Sequence, residues 1–366
     1  MKRTNLILVG GFLGAGKTTL LASAAKALRD RGLKVAVVTN DQAADLVDTS
    51  LLRHAGLDAG EVAGGCFCCR FDQFIETALS LVAKVDPNVV IGEPVGSCTD
   101  LSATVLQPIK GMHGDRLHLA PYGVLVDPDR MRELIDPEKR RPMHDSARYI
   151  LRKQLDEADR IIVNKSDTLT PEERADLAAG AAKLFPGKPI TFLSALTGEG
   201  VGEWVDAMLS GEGTGQTIVD VDYDVYAEGE AVLGWFNASA KLTAKGVLDW
   251  SAVASDVMER VRAEMNKRNA AIAHVKLSLT AGDGQIVANV VSDSGPAAVR
   301  GQIDAGEYVA KLVINARAEI SPEEMQSVVS DTLKGLSPRV DVAIESIHSL
   351  SPGRPTPTHR YLKVVG

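Results

Sequence analysis

Continuous apolar runs separated by amphipathic stretches mark the first part of the chain. Leu6–Val9, Lys34–Thr39, Val89–Ile91, Tyr122–Val126, Arg160–Val163 and Ile190–Leu193 each read as a strand buried on both faces. Helical spacing occupies much of the intervening chain, at about 18–31, 71–84, 146–158 and 171–185. Strands alternating with helices predict an α/β domain, a parallel sheet covered on both faces. The glycine-rich SGEGTGQ at Ser210–Gln216 then breaks the pattern. Beyond it, Val232–Leu242 alternates as a strand and Ser251–Arg268 reads as a helix. His274–Leu279 and Ile286–Val291 form a hairpin about Gly282-Asp283-Gly284. A strand at Tyr308–Ala316, a helix at Pro322–Leu333 and a strand at Val340–Ile347 complete the order. That order predicts a smaller α+β domain, ferredoxin-like with an added strand. The expected division is 1–210, a linker at 211–217, a second domain at 218–350 and a loosely ordered proline-rich tail at 351–366. Trp235, Phe236 and Trp250 read as core of the second domain.

The first apolar run leads straight into GGFLGAGKTTLL. Gly11, Gly16, Lys17 and Thr18 fit G-x-x-x-x-G-K-[ST], and an apolar strand before with a helix after is the context a P-loop requires. Glycines let the backbone approach an anion. Successive N–H groups across Gly14, Ala15, Gly16, Lys17, Thr18 and Thr19 cradle phosphate oxygens at the positive end of the helix. Lys17 reaches the outer phosphates and the Thr18 hydroxyl ligates Mg²⁺.

At a later strand end stands NKSD. Guanine offers a ring N–H and an exocyclic amino group side by side, and Asp167 accepts both. Adenine presents a ring acceptor there, which leaves the carboxylate unpaired. Lys165 lies along the base, Asn164 ties loops together, and a backbone N–H of Ser194-Ala195 donates to the guanine carbonyl. The nucleotide is therefore expected to be GTP.

Charge changes the picture by exclusion. Lys+Arg is 40 and Asp+Glu 48, a net charge of −8, which argues against a broad nucleic-acid footprint. No apolar run approaches the roughly 20 residues of a membrane helix. The start, MKRTNLILVGGF, imitates a signal peptide, but the P-loop directly behind it accounts for the apolar run. The expectation is a cytoplasmic protein without nucleic-acid or membrane partners.

Three of the four cysteines lie within four residues, Cys66, Cys68 and Cys69 in GGCFCC. Clustering of this kind points to metal or redox chemistry rather than a disulfide framework. Cys66 and Cys68 fall on one side of an extended segment, and Cys69 joins them if the chain turns. Three thiolates suit Zn²⁺, with Co²⁺ or Cu⁺ as alternatives, and leave one tetrahedral position open for exchange. Redox-sensing thiols and buried core cysteines are the competing readings. Cys98 follows closely on GEPVG; if it reaches the cluster, it is a fourth ligand that responds to the nucleotide, and otherwise a small filler. His113 and His118 are further candidate ligands, though lone histidines are mostly ordinary surface or core residues.

Taken together, GGFLGAGKTTLL, GGCFCC, a Glu-x-x-G at a strand end and QLDEADRIIVNKSD resemble the CobW-like P-loop GTPases over about residues 4–210. The resemblance implies Mg-GTP binding, slow hydrolysis, delivery of a metal or cofactor to a target enzyme, and a partner-facing second domain. It implies that Glu93 holds a Mg²⁺ water or orients the attacking water, and that the Gly96 N–H senses the γ-phosphate. It places Asn40, Asp41 and Asp48 at the first switch, with Asp41 as a catalytic residue; the family's Asn-Glu-Phe-Gly is here Asn40-Asp41-Gln42-Ala43. Asp127 matches a position the family often fills with Asp.

The favoured reading is a GTP-hydrolysing metallochaperone or metal-cofactor insertion factor. Its partner is a client metalloenzyme or cofactor-biosynthesis protein, and a homodimer is left open. The alternatives are a regulatory GTPase for a metal- or corrinoid-dependent enzyme, with a structural metal, and a P-loop small-molecule kinase.

Overall fold

A computed structural model describes residues 3–40, 47–54, 56–137, 143–211, 213–291 and 297–366. The chain divides into two compact units.

The first unit is built on the apolar runs. Its strands are β1 (Thr4–Gly11), β2 (Val35–Asn40), β3 (Asp58–Val62), β4 (Val89–Glu93), β5 (Leu117–Leu119), β6 (Gly123–Val126), β7 (Arg160–Val163) and β8 (Ile190–Phe192). They pair in the order β3-β2-β4-β1-β6-β7-β8, with β5 beside β1, and every pair is parallel. Every residue of β2, β4 and β6 is buried, as expected of strands covered on both faces.

Among the described residues, the α-helices wholly in this unit are α1 (Lys17–Asp30), α3 (Phe71–Val85), α4 (Gln107–His113), α5 (Pro128–Ile135), α6 (Asp145–Glu157), α7 (Pro171–Leu184) and α8 (Val201–Ser210). Helix α7 begins with a capping box between Thr170 and Glu173. Helix α2 (Val47–His54) belongs to the second unit although it lies between β2 and β3 in sequence.

The second unit is an antiparallel sheet in the order β12-β11-β10-β13-β9-β14. These are β9 (Gly234–Ala244), β10 (Ile272–Ala281), β11 (Gly284–Val290), β12 (Ala298–Gln302), β13 (Val309–Ala318) and β14 (Val340–Leu350). Helices α10 (Trp250–Lys267) and α11 (Pro322–Lys334) cover one face, where Phe236, Ala238, Ala240 and Leu242 alternate inward. Strands β14-β9-β13-β10 with α10 and α11 form the split β-α-β arrangement expected. The addition is the β11–β12 extension, two strands rather than one. Trp235, Phe236 and Trp250 are buried.

The division differs from the sequence reading in three places. Among the described residues, 47–54 go with the second unit, 218–229 stay with the first, and 354–366 pack on the first. The last of these is a correction: the tail is hydrogen-bonded in place rather than loose. Tyr361 N donates to Ala103 O at 3.0 Å and Val365 N to Gln107 Oε1 at 2.8 Å. Helix α9 (Tyr223–Ala231) spans the junction.

Candidate nucleotide and metal site

All the motifs sit at the carboxyl ends of the parallel strands, where open α/β sheets place ligands. β1 ends in the glycine loop, β2 at Asn40, β4 at Glu93, β6 before Asp127, β7 before Asn164 and β8 before Ser194. Helix α1 starts from Gly16, which supplies no side-chain cap and has φ +92°. A Cβ at Gly16 would overlap Asn164 Nδ2, so only glycine fits there.

Lys17 Nζ donates to Gly11 O at 2.9 Å and lies 3.9 Å from Glu93 Oε1. The Thr18 hydroxyl donates to the same Glu93 oxygen at 3.1 Å. All three residues are buried. A hydroxyl and a carboxylate at that separation match adjacent corners of a Mg²⁺ octahedron with bonds of about 2.1 Å. Gly96 closes the cradle: a Cβ there would meet Lys17 Nζ at 3.0 Å and Leu13 Cδ2 at 2.7 Å.

Asn164 links two loops. Its Nδ2 donates to Ala15 O at 2.8 Å and its Oδ1 accepts from Ala195 N at 2.9 Å. Lys165 has φ 59° and its Nζ is 3.8 Å from Asp127 Oδ2. Asp127 also caps α5, accepting from Arg130 N at 2.9 Å. Asp167 is exposed. The N–H groups expected to meet guanine are engaged within the protein: Ser194 N donates to Glu199 O at 2.9 Å and Ala195 N to Asn164.

Asp41 and Gln42 lie outside the described residues. Asp48 is at the start of α2, where Lys276 Nζ of β10 donates to it at 2.7 Å; Val47 N donates to Asn315 Oδ1 at 3.0 Å.

The cysteine segment is a tight turn throughout, where the sequence predicts an extended Cys66–Cys68 stretch with a turn at Cys69. Gly64 (φ 79°) and Gly65 (φ 154°) turn the chain, and Cys69 N and Arg70 N both donate to Cys66 O before α3 begins. Phe67 anchors the turn by stacking on Phe74, centroids 4.0 Å apart. Asn40 clamps it: Nδ2 donates to Val62 O at 2.9 Å and to Gly65 O at 2.7 Å, and Oδ1 accepts from Phe67 N at 2.9 Å.

The turn gathers Cys66, Cys68 and Cys69 so that their sulfurs lie within 4.8 Å of one another. Cys66 Sγ is 2.8 Å from Cys68 Sγ, and Cys68 Sγ is 3.8 Å from Cys69 Sγ. Cys98, on the loop after β4, is buried, and the group of sulfurs within 4.8 Å of one another is Cys66, Cys68 and Cys69 without it. S–H donation from Cys68, then Cys69 and Cys98, holds the Cys66 thiol well below its ordinary range. Donating to Cys66 pushes the Cys68 thiol well up, and the Cys69 thiol up to about 11. The cluster is thus a set of neighbouring thiols in which Cys66 gives up its proton most readily, a soft donor set that fits Zn²⁺. Among the described residues no His, Asp or Glu joins it; His113 and His118 stand apart.

Several supporting residues carry no motif and escaped the sequence reading. Gln154 of α6 donates to Gly96 O at 3.0 Å and Cys98 O at 2.7 Å. One turn on, Glu157 accepts from Ser102 N at 2.8 Å and the Thr99 hydroxyl at 3.2 Å. The C-terminal segment adds Thr358, whose N–H donates to Cys68 O at 2.9 Å, and Arg360, whose Nε donates to Asp100 Oδ2 at 2.6 Å. The i, i+3 spacing of Gln154 and Glu157 on an amphipathic helix was the one available signal.

Burial pushes the Glu157 carboxyl up to about 8, so it is neutral at neutral pH. The folded chain then binds this proton more tightly than the unfolded chain. The associated stability is whole below pH 4.5 and fades as pH rises toward 8. Glu157→Gln is expected to flatten that decline. Melting midpoints at about pH 5 and about pH 9 check it; equal declines in both proteins would mean the carboxyl ionises normally.

A parallel sheet with a P-loop, an NKSD loop and a thiol cluster at one edge defines a P-loop nucleotide-binding protein with a metal-type cysteine site. The CobW/HypB/UreG nucleotide-binding domain matches residues 5–192, just over half of the chain, and the chain belongs to that family of CobW-like P-loop GTPases. The zinc chaperone YeiR of Escherichia coli (strain K12) is 32% identical over 178 residues, 48% of this chain and 50% of the relative. The zinc chaperone CobW of Pseudomonas aeruginosa is 28% identical over 210 residues, 49% of this chain and 53% of the relative. The chain thus spans about half the length of these relatives. The Zn(II)-bound YjiA GTPase of E. coli superposes with a TM-score of 0.39 at 18% identity, over 91% of this chain and 99% of that one. Among the described residues no helix is long and apolar enough to cross a membrane.

Proposed function

We propose that this protein is a GTP-hydrolysing metallochaperone that holds zinc on Cys66, Cys68 and Cys69 and hands it to a client metalloenzyme or cofactor-biosynthesis protein. The observation that carries the reading is the gathering of three cysteine sulfurs within 4.8 Å of one another in a chain of the CobW/HypB/UreG family.

The nucleotide roles follow from position. The glycine loop and α1 receive the phosphates. Lys17 neutralises the outer phosphates, and Thr18 with Glu93 would hold Mg²⁺, which supplies charge neutralisation on the β- and γ-oxygens. Glu93, beside Lys17, orients the water that attacks the γ-phosphate in line, and the Gly96 N–H registers whether that phosphate is present. Asn164 and Lys165 shape the base pocket and Asp167 selects guanine. In the metal-free cluster only Cys66 is readily ionised, so loading requires protons to leave the other thiols.

Asp167→Asn tests the nucleotide half. An amide cannot accept both guanine donors, but it can donate to the C2 carbonyl of xanthine. GTP affinity is expected to fall by at least about tenfold while xanthosine triphosphate gains, read by fluorescent-nucleotide titration. Unchanged GTP preference would remove guanine recognition from this loop.

A further inference from the structure

Helix α6 carries a glutamine where its amphipathic pattern calls for an apolar residue. Ala147, Ile150, Leu151 and Leu155 belong to its buried stripe, and Gln154 lies within that stripe, 0% exposed. We propose that Gln154 is a positioning residue for γ-phosphate recognition: it holds the loop after β4 by two carbonyls and thereby sets where the Gly96 N–H stands. The inference rests on the GTPase reading above and extends it to a residue outside the P-loop, the Glu-x-x-G and NKSD.

A buried amide is costly unless its hydrogen-bonding groups are used. Gln154 Nε2 donates to Gly96 O at 3.0 Å and to Cys98 O at 2.7 Å. Both partners are carbonyl oxygens, which only accept, so the nitrogen of the amide and not its oxygen faces them. The loop between them is a tight turn, Cys98 N donating to Val95 O at 3.0 Å. Gly96 also abuts the P-loop: a Cβ there would meet Leu13 Cδ2 at 2.7 Å and Lys17 Nζ at 3.0 Å. Left alone, glycine backbone ranges widely. Here contact with the P-loop and a donor from α6 fix it.

The next stretch of the loop has anchors of its own. One turn along α6, Glu157 accepts from the Thr99 hydroxyl at 3.2 Å and from Ser102 N at 2.8 Å. Thr99 N donates to the Tyr226 hydroxyl at 3.2 Å. Asp100 accepts from Arg360 Nε at 2.6 Å and from the Tyr223 hydroxyl at 2.8 Å. Loss of the Gln154 donors therefore slackens residues 96–98 and leaves 99–102 in place. The slackened part is the one that meets the γ-phosphate. The N–H groups of the glycine loop, which hold the other phosphates, are untouched.

Gln154→Met keeps the length of the side chain and removes both donors, and Gln154→Glu keeps its shape but turns acceptors toward the two carbonyls. Fluorescent-nucleotide competition with GDP and with a non-hydrolysable GTP analogue, on the full chain, reads the outcome beside steady-state phosphate release. Affinity for the analogue is expected to fall about tenfold or more in Gln154→Met and further in Gln154→Glu, the cost of losing a hydrogen bond to a charged group. Turnover is expected to fall by about 10²-fold, as misplacement of a positioned group does. GDP affinity is expected to stay within about threefold of wild type, because the glycine loop is intact; this also verifies the fold. A role in packing alone would weaken both nucleotides together. Unchanged affinity for the analogue, or equal losses for analogue and GDP, would overturn the positioning role and leave the GTPase reading standing. A wild-type protein that binds neither nucleotide would overturn both. If the variants do not fold, a crystal structure of wild type with the analogue decides: Gln154 Nε2 is expected within about 3.2 Å of Gly96 O, and separation beyond hydrogen-bond reach overturns the role.

Discussion

Lys17→Ala is expected to lower GTP turnover by about 10²- to 10³-fold, the usual cost of losing one charge-stabilising group aimed at a transition state. The expectation comes from how tightly the ammonium is aimed. Nζ is tethered to Gly11 O at 2.9 Å and stands 3.9 Å from Glu93. A single methyl on Gly96 would come within 3.0 Å of it. Buried between the glycine loop and the sensing loop, it acts in a low-dielectric site where its charge is worth most. Lys17→Arg is expected to fail as well, because the planar guanidinium does not fit a cradle built for a point charge. Steady-state phosphate release measures both. Turnover within about threefold of wild type would show that Lys17 does not face the transferring phosphate.

Changing Cys66, Cys68 and Cys69 together to Ser is expected to abolish zinc retention through desalting. Serine hydroxyls do not ionise at neutral pH and are hard donors, so the set loses both charge and softness. The turn itself should persist. Asn40, Phe67 and the two glycines hold it through backbone bonds and apolar burial, none of which uses sulfur. Basal GTP turnover is expected to survive, which separates loss of metal from loss of fold. Full zinc retention in the variant would place the metal elsewhere.

The parts of the molecule legible in the sequence are those where one local rule acts without competition. The buried strands of the first unit appear as unbroken apolar runs, and the P-loop and NKSD stand at strand ends because the backbone there must meet a ligand. The hairpin at Gly282-Asp283-Gly284 is equally local. Strand β3, DAGEV, went unseen because four of its five residues are not fully buried and its sequence has little β character. Strands β5 (LHL) and β12 (AVRGQ) lack the unbroken apolar run that marks the equally short β6 and β7. Period-2 spacing sets Cys66 and Cys68 on one side of an extended segment; the turn at Cys66–Cys69, which the preceding glycines permit, gathers them with Cys69. Most opaque were the contacts made across long stretches of chain. Nothing in SPGRPTPTHRY announces that Thr358 binds Cys68 and Arg360 binds Asp100. Likewise α2 follows β2 in sequence yet joins the second unit through Asp48 and Lys276. Composition suggests a loosely ordered segment for the first; tertiary partners decide otherwise.

Nucleotide state is expected to control the grip on metal. Anaerobic titration of the full chain with Zn²⁺ against a competing chelator, in Mg-GDP and in Mg²⁺ with a non-hydrolysable GTP analogue, tests it most directly. Zinc affinities are expected to differ by about tenfold or more between the two states, about 1.4 kcal/mol of coupling, with zinc binding itself lost when the three cysteines are changed. Equal affinities in both nucleotide states would contradict it and leave the sulfur site structural or redox-active.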